Sequence, residues 1–432
     1  MKKILLLVLL IIICQADSCF AEINLSKDDR VIIFAPHPDD EVIALGGIIQ
    51  KILKAGAKLK IVYLTNGEYN EINYFFYKKH AAMSTAGFIN IGETRQKEAY
   101  NAMKYLEVNN DDLIFLGYPD RFTETILTGF WDKKWPAASM LTHIKKVPYK
   151  NALSPGALYI GESVLSDIKK VLNDFKPTIV FTSSPKDTNP DHRSLYVFVN
   201  TALFELKDKF IPREQYSYLV HKVGWPKAKK YLPSFELDPP PEYGTANVIW
   251  NKVPLSEDEV KNKYKALLLY KSQLSMGSSY LLSFVRANEL LSSYSFVDTR
   301  AAIETQSSEK DSEMISEITY SRDEEFLYIN ILFNKKIARG IKADMYFLGY
   351  KSDKDFSLMP KIFFKVKDGS IITYDKRKRI YIDNLKATSR GNTITIKFPL
   401  KALDNPQYVF SRMILKGKVL AVYASAWRIL QL

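Results

Sequence analysis

The sequence predicts an α/β fold: a mostly parallel, Rossmann-like sheet with helices on both faces, followed by a C-terminal antiparallel β-sandwich domain. Three observations carry this. From Arg30 to about Leu206, short continuous apolar runs alternate with helical stretches, the pattern of buried parallel strands joined by crossover helices. Between Thr305 and Glu317 the composition turns to Ser, Glu, Gln and Lys, as in a linker or domain edge. Beyond it, short alternating runs recur between turn residues, as in a half-exposed antiparallel sheet. The 432 residues suffice for two or three domains, and 47% of them are hydrophobic, so a sizeable core can be buried.

Taken in order, the chain opens with Met1-Lys2-Lys3, an unbroken apolar run Ile4–Ile13, and a more polar stretch ending Cys19-Phe20-Ala21. The run is too short to span a membrane and has the length of a signal h-region, so residues 1–21 read as a signal peptide cleaved after Ala21. The expected location is therefore exported, periplasmic or extracellular, with lipoprotein anchoring through a leader cysteine as a minor alternative. Both cysteines, Cys14 and Cys19, lie in that leader. The mature chain would lack disulfides, thiolate ligands and cysteine nucleophiles. No other segment has the length and apolarity of a membrane span.

Residues 27–304 form the expected α/β domain. Val31–Ala35 reads as a strand, Glu41–Lys54 as a helix, Leu59–Leu64 as a strand stopped by Thr65-Asn66-Gly67, and Glu93–Leu106 as a helix. Leu113–Leu116 is a third strand ending in Gly117-Tyr118-Pro119-Asp120; Ser163–Phe175 is a helix, Thr178–Thr182 a fourth strand and His192–Phe204 a helix. Residues 121–160, rich in Trp, Pro and Tyr, read as an excursion that either shapes a pocket or packs the surface. After a linker at 305–317, residues 318–432 carry the alternating runs Phe326–Ile331, Ile362–Val366, Thr393–Phe398 and Val419–Tyr423. The net charge of +13 is spread along the chain. It fits a solvated basic surface or attraction to an anionic envelope component or polysaccharide. No nucleic-acid motif accompanies it.

Of five histidines, His37 follows the first strand directly and His192 follows the fourth across a loop. Both belong at the carboxyl edge of the sheet, where open α/β sheets place ligands. In Pro36-His37-Pro38-Asp39-Asp40-Glu41, three consecutive acids repel one another unless something positive is near. His37 and Asp40, three apart across a tight turn, can point at one centre, and His192 can complete a facial set of three. A catalytic zinc site takes three protein ligands and an open position for water; iron, cobalt or manganese would accept the same donors. Asp39, beside the ligands but free, could take a proton from water activated by the metal. The competing reading is an N-cap in which Asp39 or Asp40 caps the helix and Glu41 favours its dipole. His80, His143 and His221 read as surface or packing residues. Trp131 and Trp135 read as either sugar-stacking or packing aromatics.

The segment Ala35-Pro36-His37-Pro38-Asp39-Asp40-Glu41 resembles the opening motif of the PIG-L/LmbE-like family of zinc-dependent de-N-acetylases. The likeness continues through Thr65-Asn66-Gly67-Glu68, Arg95 with Glu98 and Ala99, Leu116-Gly117-Tyr118-Pro119-Asp120, Pro190-Asp191-His192-Arg193, and Lys265 with Tyr270-Lys271-Ser272-Gln273, over residues 30 to 275. The resemblance implies His37, Asp40 and His192 as zinc ligands and Asp39 as general base. It implies Asp191 as the partner orienting a histidine, Arg95 near the pocket binding or orienting substrate, and Asp120 and Asn189 in the substrate-binding or supporting shell. One departure stands out: some members have a histidine where this chain has Asn189, which can donate a hydrogen bond but cannot deliver a proton. The resemblance thus implies an N-deacetylase acting on an N-acetylglucosamine-type sugar in a glycan or glycoconjugate, and the leader pattern adds export. The alternatives are a zinc amidohydrolase on another amide and a catalytically weak carbohydrate-binding protein. The segment Ala424–Arg428 is faintly similar to carbohydrate-binding sandwich modules.

Overall fold

A computed structural model describes residues 23–69, 84–243, 248–299, 303–304, 315–335, 341–367, 369–417 and 423–432. The leader with both cysteines, His80 and residues 305–314 of the expected linker lie outside the described residues. No helix among the described residues is long and apolar enough to cross a membrane.

The α/β half is built on a seven-stranded sheet of order β3-β2-β1-β4-β5-β7-β6. β1 (Arg30–Ala35), β2 (Lys58–Thr65), β3 (Leu113–Tyr118), β4 (Ile179–Ser183) and β5 (Glu214–Tyr218) run parallel. β7 (Asn288–Tyr294) and β6 (Val248–Pro254) add an antiparallel edge. β1 shows why the centre reads as an unbroken apolar run: both of its faces are covered. Val31, Ile33 and Ala35 join one core cluster, and Ile32 and Phe34 join the other. Helices α1 (Asp40–Lys54), α2 (Thr85–Tyr105) and α6 (Glu257–Leu267) supply the first face. Helices α3 (Thr123–Gly129), α4 (Gly161–Phe175) and α5 (Pro190–Leu206) supply the second. A last helix, α7 (Lys271–Leu282), packs near α2 and α6. The strand order reverses between β1 and β4, so the crevice at their carboxyl ends is the topological switch point, where such sheets bind ligands.

Among the described residues the predicted strands and helices are present with boundaries moved by a few residues, with one larger difference; of the run Val419–Tyr423, all but Tyr423 lies outside the described residues. α2 begins at Thr85 rather than Glu93, because Ser84 caps it by accepting from Gly87 N; Gly87 and Gly92 mask that start in the sequence. The excursion at 121–160 turns out to be packed. Trp131, Ala137, Val147, Tyr149 and Tyr159 are all buried in the second core cluster.

The C-terminal half is an antiparallel sandwich, a five-stranded sheet on an eight-stranded one, enclosing its own apolar core. Strands Val297–Asp298 and Ile303–Glu304 already pair with C-terminal strands. The chain therefore enters the sandwich before residue 305. Leu348, Tyr350, Phe356, Phe410, Trp427 and Ile429 of the sandwich join the core cluster of α4 and α5, so the two halves share buried surface. At that seam Glu124 on α3 accepts from Arg193 Nε and Nη2 at 3.0 and 2.7 Å, from Arg412 Nη1 at 3.2 Å and from Trp427 Nε1 at 2.8 Å.

Candidate metal centre and its surroundings

β1 stops at Ala35 and the chain turns through Pro36-His37-Pro38-Asp39 into α1. Pro36 O accepts from Thr65 N of the neighbouring strand at 3.0 Å, which pins the turn to β2. Asp39 holds φ of 125°, a conformation rare for an L-residue and costing on the order of 1–3 kcal/mol. It occupies the N-cap position, yet its side chain makes no capping bond; the capping explanation of the acid run therefore fails for Asp39. Its carboxylate instead lies 3.2 Å from Arg95 Nη2.

The turn, α1 and α5 bring three donors together. His37 Nδ1 and His192 Nε2 each lie 3.0 Å from Asp40 Oδ2. All three residues are buried. The opposite ring nitrogens are also held. His37 Nε2 faces Asp120 Oδ1 at 3.1 Å and Asp191 Oδ2 at 3.3 Å. His192 Nδ1 faces Asp187 Oδ2 at 3.1 Å. Carboxylates behind ligating histidines are the arrangement that fixes tautomer and ring orientation.

Charge accounts for what this pocket needs. Asp39, Asp40, Glu41, Glu68, Asp120, Asp187 and Asp191 are all buried around it. Burial alone would lower a histidine, yet Asp120, Asp191 and Asp40 together raise His37 well above its ordinary range. Against the same burial penalty, Asp187 and Asp40 raise His192 to about 9. Burial pushes Asp39 up to about 7 against the pull of Arg95, with Asp40 adding repulsion. Burial likewise pushes Glu41 to about 8, and burial with the Asp120 charge pushes Glu68 to about 8. Protons are thus drawn onto His37, His192, Asp39, Glu41 and Glu68, while Asp40, Asp120 and Asp187 are held below their ordinary range by the imidazoles they face; a buried cluster this rich in carboxyls calls for added positive charge. A divalent cation fits this donor set: two imidazoles and a carboxylate converge, and both His192 ring nitrogens are buried without a well-aligned hydrogen bond.

The other residues singled out in the sequence are placed as follows. Asp120 and Asp191 stand behind His37, and Asp191 Oδ1 also accepts from Thr123 N at 3.0 Å. Asn189 is the N-cap of α5, its Oδ1 accepting from Asp191 N at 2.9 Å; its side-chain oxygen holds the helix start rather than a pocket group. Arg95, expected to meet substrate, is itself buried. Its Nη1 donates to Gly67 O and its Nη2 to Pro38 O, both at 2.7 Å, so it steadies the His37–Asp39 turn. Gly67 has φ of 69°, and a Cβ there would meet Arg95 Nη1 at 2.0 Å. The late motif closes on the first: the Tyr270 hydroxyl donates to Glu41 Oε1, and Ser272 N and Oγ donate to Glu98 at 2.7 and 2.6 Å. Lys265 points to solvent, whereas its neighbour Lys263 is buried, 2.7 Å from Glu289. Trp131 is a packing residue whose Nε1 donates to Leu127 O; Trp135 and His143 are exposed.

Two residues were missed by sequence reasoning. Asp187 lies two residues before Asn189 with nothing local to mark it. His221, read as a surface or packing residue, is placed at the pocket, its ring 4.7 Å from that of His192. It belongs with His37, Asp40 and His192 to a group whose ligand atoms all lie within 4.8 Å of one another. Burial and the His192 and His37 charges, opposed by Asp187 and Asp40, put it at about 4.

Comparison with known proteins agrees on the region. The family model described as PIG-L, GlcNAc-PI de-N-acetylase, matches residues 32–203. That span contains His37, Asp39, Asp40 and His192, but not His221. A 1D-myo-inositol 2-acetamido-2-deoxy-alpha-D-glucopyranoside deacetylase of Corynebacterium glutamicum is 23% identical over 178 residues, covering 41% of this chain and 53% of its own length. A putative glucosamine-6-phosphate deaminase-like protein of Bacteroides thetaiotaomicron is 28% identical over 282 residues, covering 57% of this chain and 36% of its own. The chain spans about half the length, or less, of these curated relatives. Among solved structures, N,N'-diacetylchitobiose deacetylase from Pyrococcus horikoshii aligns with 59% of this chain and 75% of its own, at 20% identity and a TM-score of 0.35. A deacetylase of teicoplanin biosynthesis aligns with 62% of this chain and 98% of its own, at 17% identity and a TM-score of 0.40.

Proposed function

We propose that this chain, whose α/β domain belongs to the PIG-L family, is an exported, metal-dependent N-deacetylase that hydrolyses the acetamide of an N-acetylglucosamine-type sugar in a glycan or glycoconjugate. The observation that carries this reading is the convergence of His37 Nδ1, Asp40 Oδ2 and His192 Nε2 beside a buried, uncapped Asp39. The named activities of the curated relatives, deacetylation of a 2-acetamido sugar among them, support the substrate class. Export rests on the leader pattern of residues 1–21 alone.

His37, Asp40 and His192 would hold a zinc or similar ion. When bound, the ion supplies Lewis acidity at the acetamide carbonyl and lowers the pKa of water in the pocket. Asp39 accepts the proton of the attacking water as its oxygen bonds to the carbonyl carbon. A carboxyl raised towards neutrality suits this, since a base works best with a pKa near the working pH. The same carboxyl returns the proton to nitrogen as the C–N bond breaks, giving acetate and a free amine. Arg95 keeps Asp39 on the pocket side through its contacts to Asp39 and Pro38. Asp120 and Asp191 hold the His37 imidazole in one tautomer and orientation, and the Asp187 carboxylate faces the His192 imidazole from behind.

Metal analysis of the purified protein, with acetate release measured across N-acetylated sugars and other amides, tests the proposal. The expected result is one divalent ion per chain and release from the amino sugars. Release confined to non-sugar amides would move the activity to that substrate class, and a chain that holds no divalent ion would overturn the reading. Sequencing the amino terminus of the mature protein tests export, with Glu22 expected first.

A further inference from the structure

We propose that His221 is a fourth protein ligand of the metal centre, which makes the donor set three imidazoles and one carboxylate. The proposal rests on the reading of His37, Asp40 and His192 as that centre. Topology places His221 correctly: it follows β5, the parallel neighbour of β4, so its loop emerges at the same sheet edge as that of His192. Its ligand atom lies within 4.8 Å of those of the other three residues. The rings of His37 and His192 are 5.3 Å apart and those of His192 and His221 are 4.7 Å apart, so the three imidazoles crowd one point.

The position of His221 is built rather than incidental. Asp187 Oδ2 accepts from the backbone N–H of Val220 at 3.1 Å and of His221 at 2.8 Å, and the same oxygen faces His192 Nδ1. One carboxylate therefore sets the two histidines against each other. Thr188 N donates to His221 O at 2.9 Å, and Tyr280 donates its hydroxyl to Val220 O at 2.6 Å. The Tyr280 ring lies nearly parallel to His221, at 10° and 6.1 Å, while His192 meets it edge-on. The imidazole is thus confined in a slot between two rings, with its backbone tied on both sides. His221 would share the ion with His37, Asp40 and His192, and water would have to join these four donors as a further ligand.

The test uses the full chain, stripped of metal and reloaded with zinc. Zinc-edge X-ray absorption counts coordinated imidazoles, and competition with a chelator gives the affinity; neither readout needs a substrate. The expected count is three for the wild type and two for His221→Ala, with affinity falling at least about 100-fold, beyond the 10–100-fold typical of losing an outer partner. His221→Gln, which keeps bulk between Tyr280 and His192, should give the same count of two and so separates ligand loss from misfolding. His143→Ala, at an exposed position, should leave both readouts unchanged. A count of two in the wild type, or unchanged affinity in both His221 variants while His37→Ala loses zinc, would overturn the proposal and leave the three-residue centre standing. Unchanged affinity in His37→Ala as well would instead bring down the centre itself.

Discussion

Asp39 is placed for chemistry at a cost in stability, and the cost can be measured. It is a buried acid raised from 3.8 to about 7. For an acid raised on folding, the folded state binds more protons between those two values, so stability falls as pH rises across that window and is level above it. At about 1.36 kcal/mol per unit, the penalty at neutral pH has a ceiling of roughly 4 kcal/mol. Asn has the same shape, carries no charge and tolerates positive φ better than most residues. In metal-free protein, Asp39→Asn should therefore be the more stable form by about 1–3 kcal/mol at pH 8, or several degrees in melting temperature for a domain of this size. The advantage should shrink towards pH 5, where the folded-state Asp39 carboxyl is itself protonated and the burial penalty on its charge is largely gone. In the metal-loaded protein the same substitution should lower acetate release by about 10²–10⁴-fold, the usual contribution of a general base. Thermal unfolding of both forms after chelation, at pH 5, 6.5 and 8, reads the stability term. A stability difference that ignores pH, or an Asn variant less stable at pH 8, would refute the electrostatic reasoning; full activity in the loaded Asn variant would refute the role as base.

Four further outcomes follow from the same geometry. Asp187→Asn removes the carboxylate behind His192 Nδ1 and should weaken zinc binding by about 10–100-fold in a chelator competition while the fold melts cooperatively. Asn189→Ala should cost about 1 kcal/mol as a lost helix cap, seen in thermal melts, and leave most acetate release intact; a collapse of turnover with zinc retained would mean Asn189 acts in the pocket. Gly67→Ala puts a methyl at positive φ against the Arg95 guanidinium, so acetate release should fall while the zinc content stays at one per chain. Glu124→Ala strands two arginines at the seam between the halves and should destabilise by about 3–5 kcal/mol in denaturant melts. Glu124→Gln should be milder at pH 7. Despite its burial, Arg412 and Arg193 hold the Glu124 carboxyl below its ordinary 4.5, so its contribution is present above that value and lost as pH falls through the lower one. The gap between wild type and Glu124→Gln should close on acidification below about 4.5.

What was legible in the sequence is what local pattern encodes. Val31–Ala35 reads as a buried strand because both faces of β1 are covered, and His37, Asp39 and Asp40 stand out because they sit together directly after it. His192 is found by the same rule of strand ends. His221 obeys that rule too, following β5, but β5 is Glu-Gln-Tyr-Ser-Tyr. A strand that polar gives no apolar run to show that it lies in the parallel sheet, so a histidine near its end reads as surface or packing. Arg95 was placed near the pocket by motif, yet its task depends on Pro38 O and Gly67 O, which come from two other turns. Likewise the Glu41–Tyr270 bond joins residues 229 apart. Contacts of that span are products of the topology, and no window of sequence contains them.

The acid run that first suggested a metal also explains why the centre must be assembled from distant parts. Asp39, Asp40 and Glu41 follow one another, and each meets a different fate. Asp40 turns to the two histidines, Asp39 to Arg95, and Glu41 to Tyr270 and the Asp39 backbone N–H. Burial would neutralise all three without those partners. Only Asp40, facing both imidazoles, is held well below its ordinary range, while Asp39 and Glu41 are raised. Three neighbouring carboxyls are thereby separated into an anionic donor, a proton acceptor near neutrality and a protonated strut. That separation is set by α2, α5 and the start of α7, none of which is near the motif in sequence.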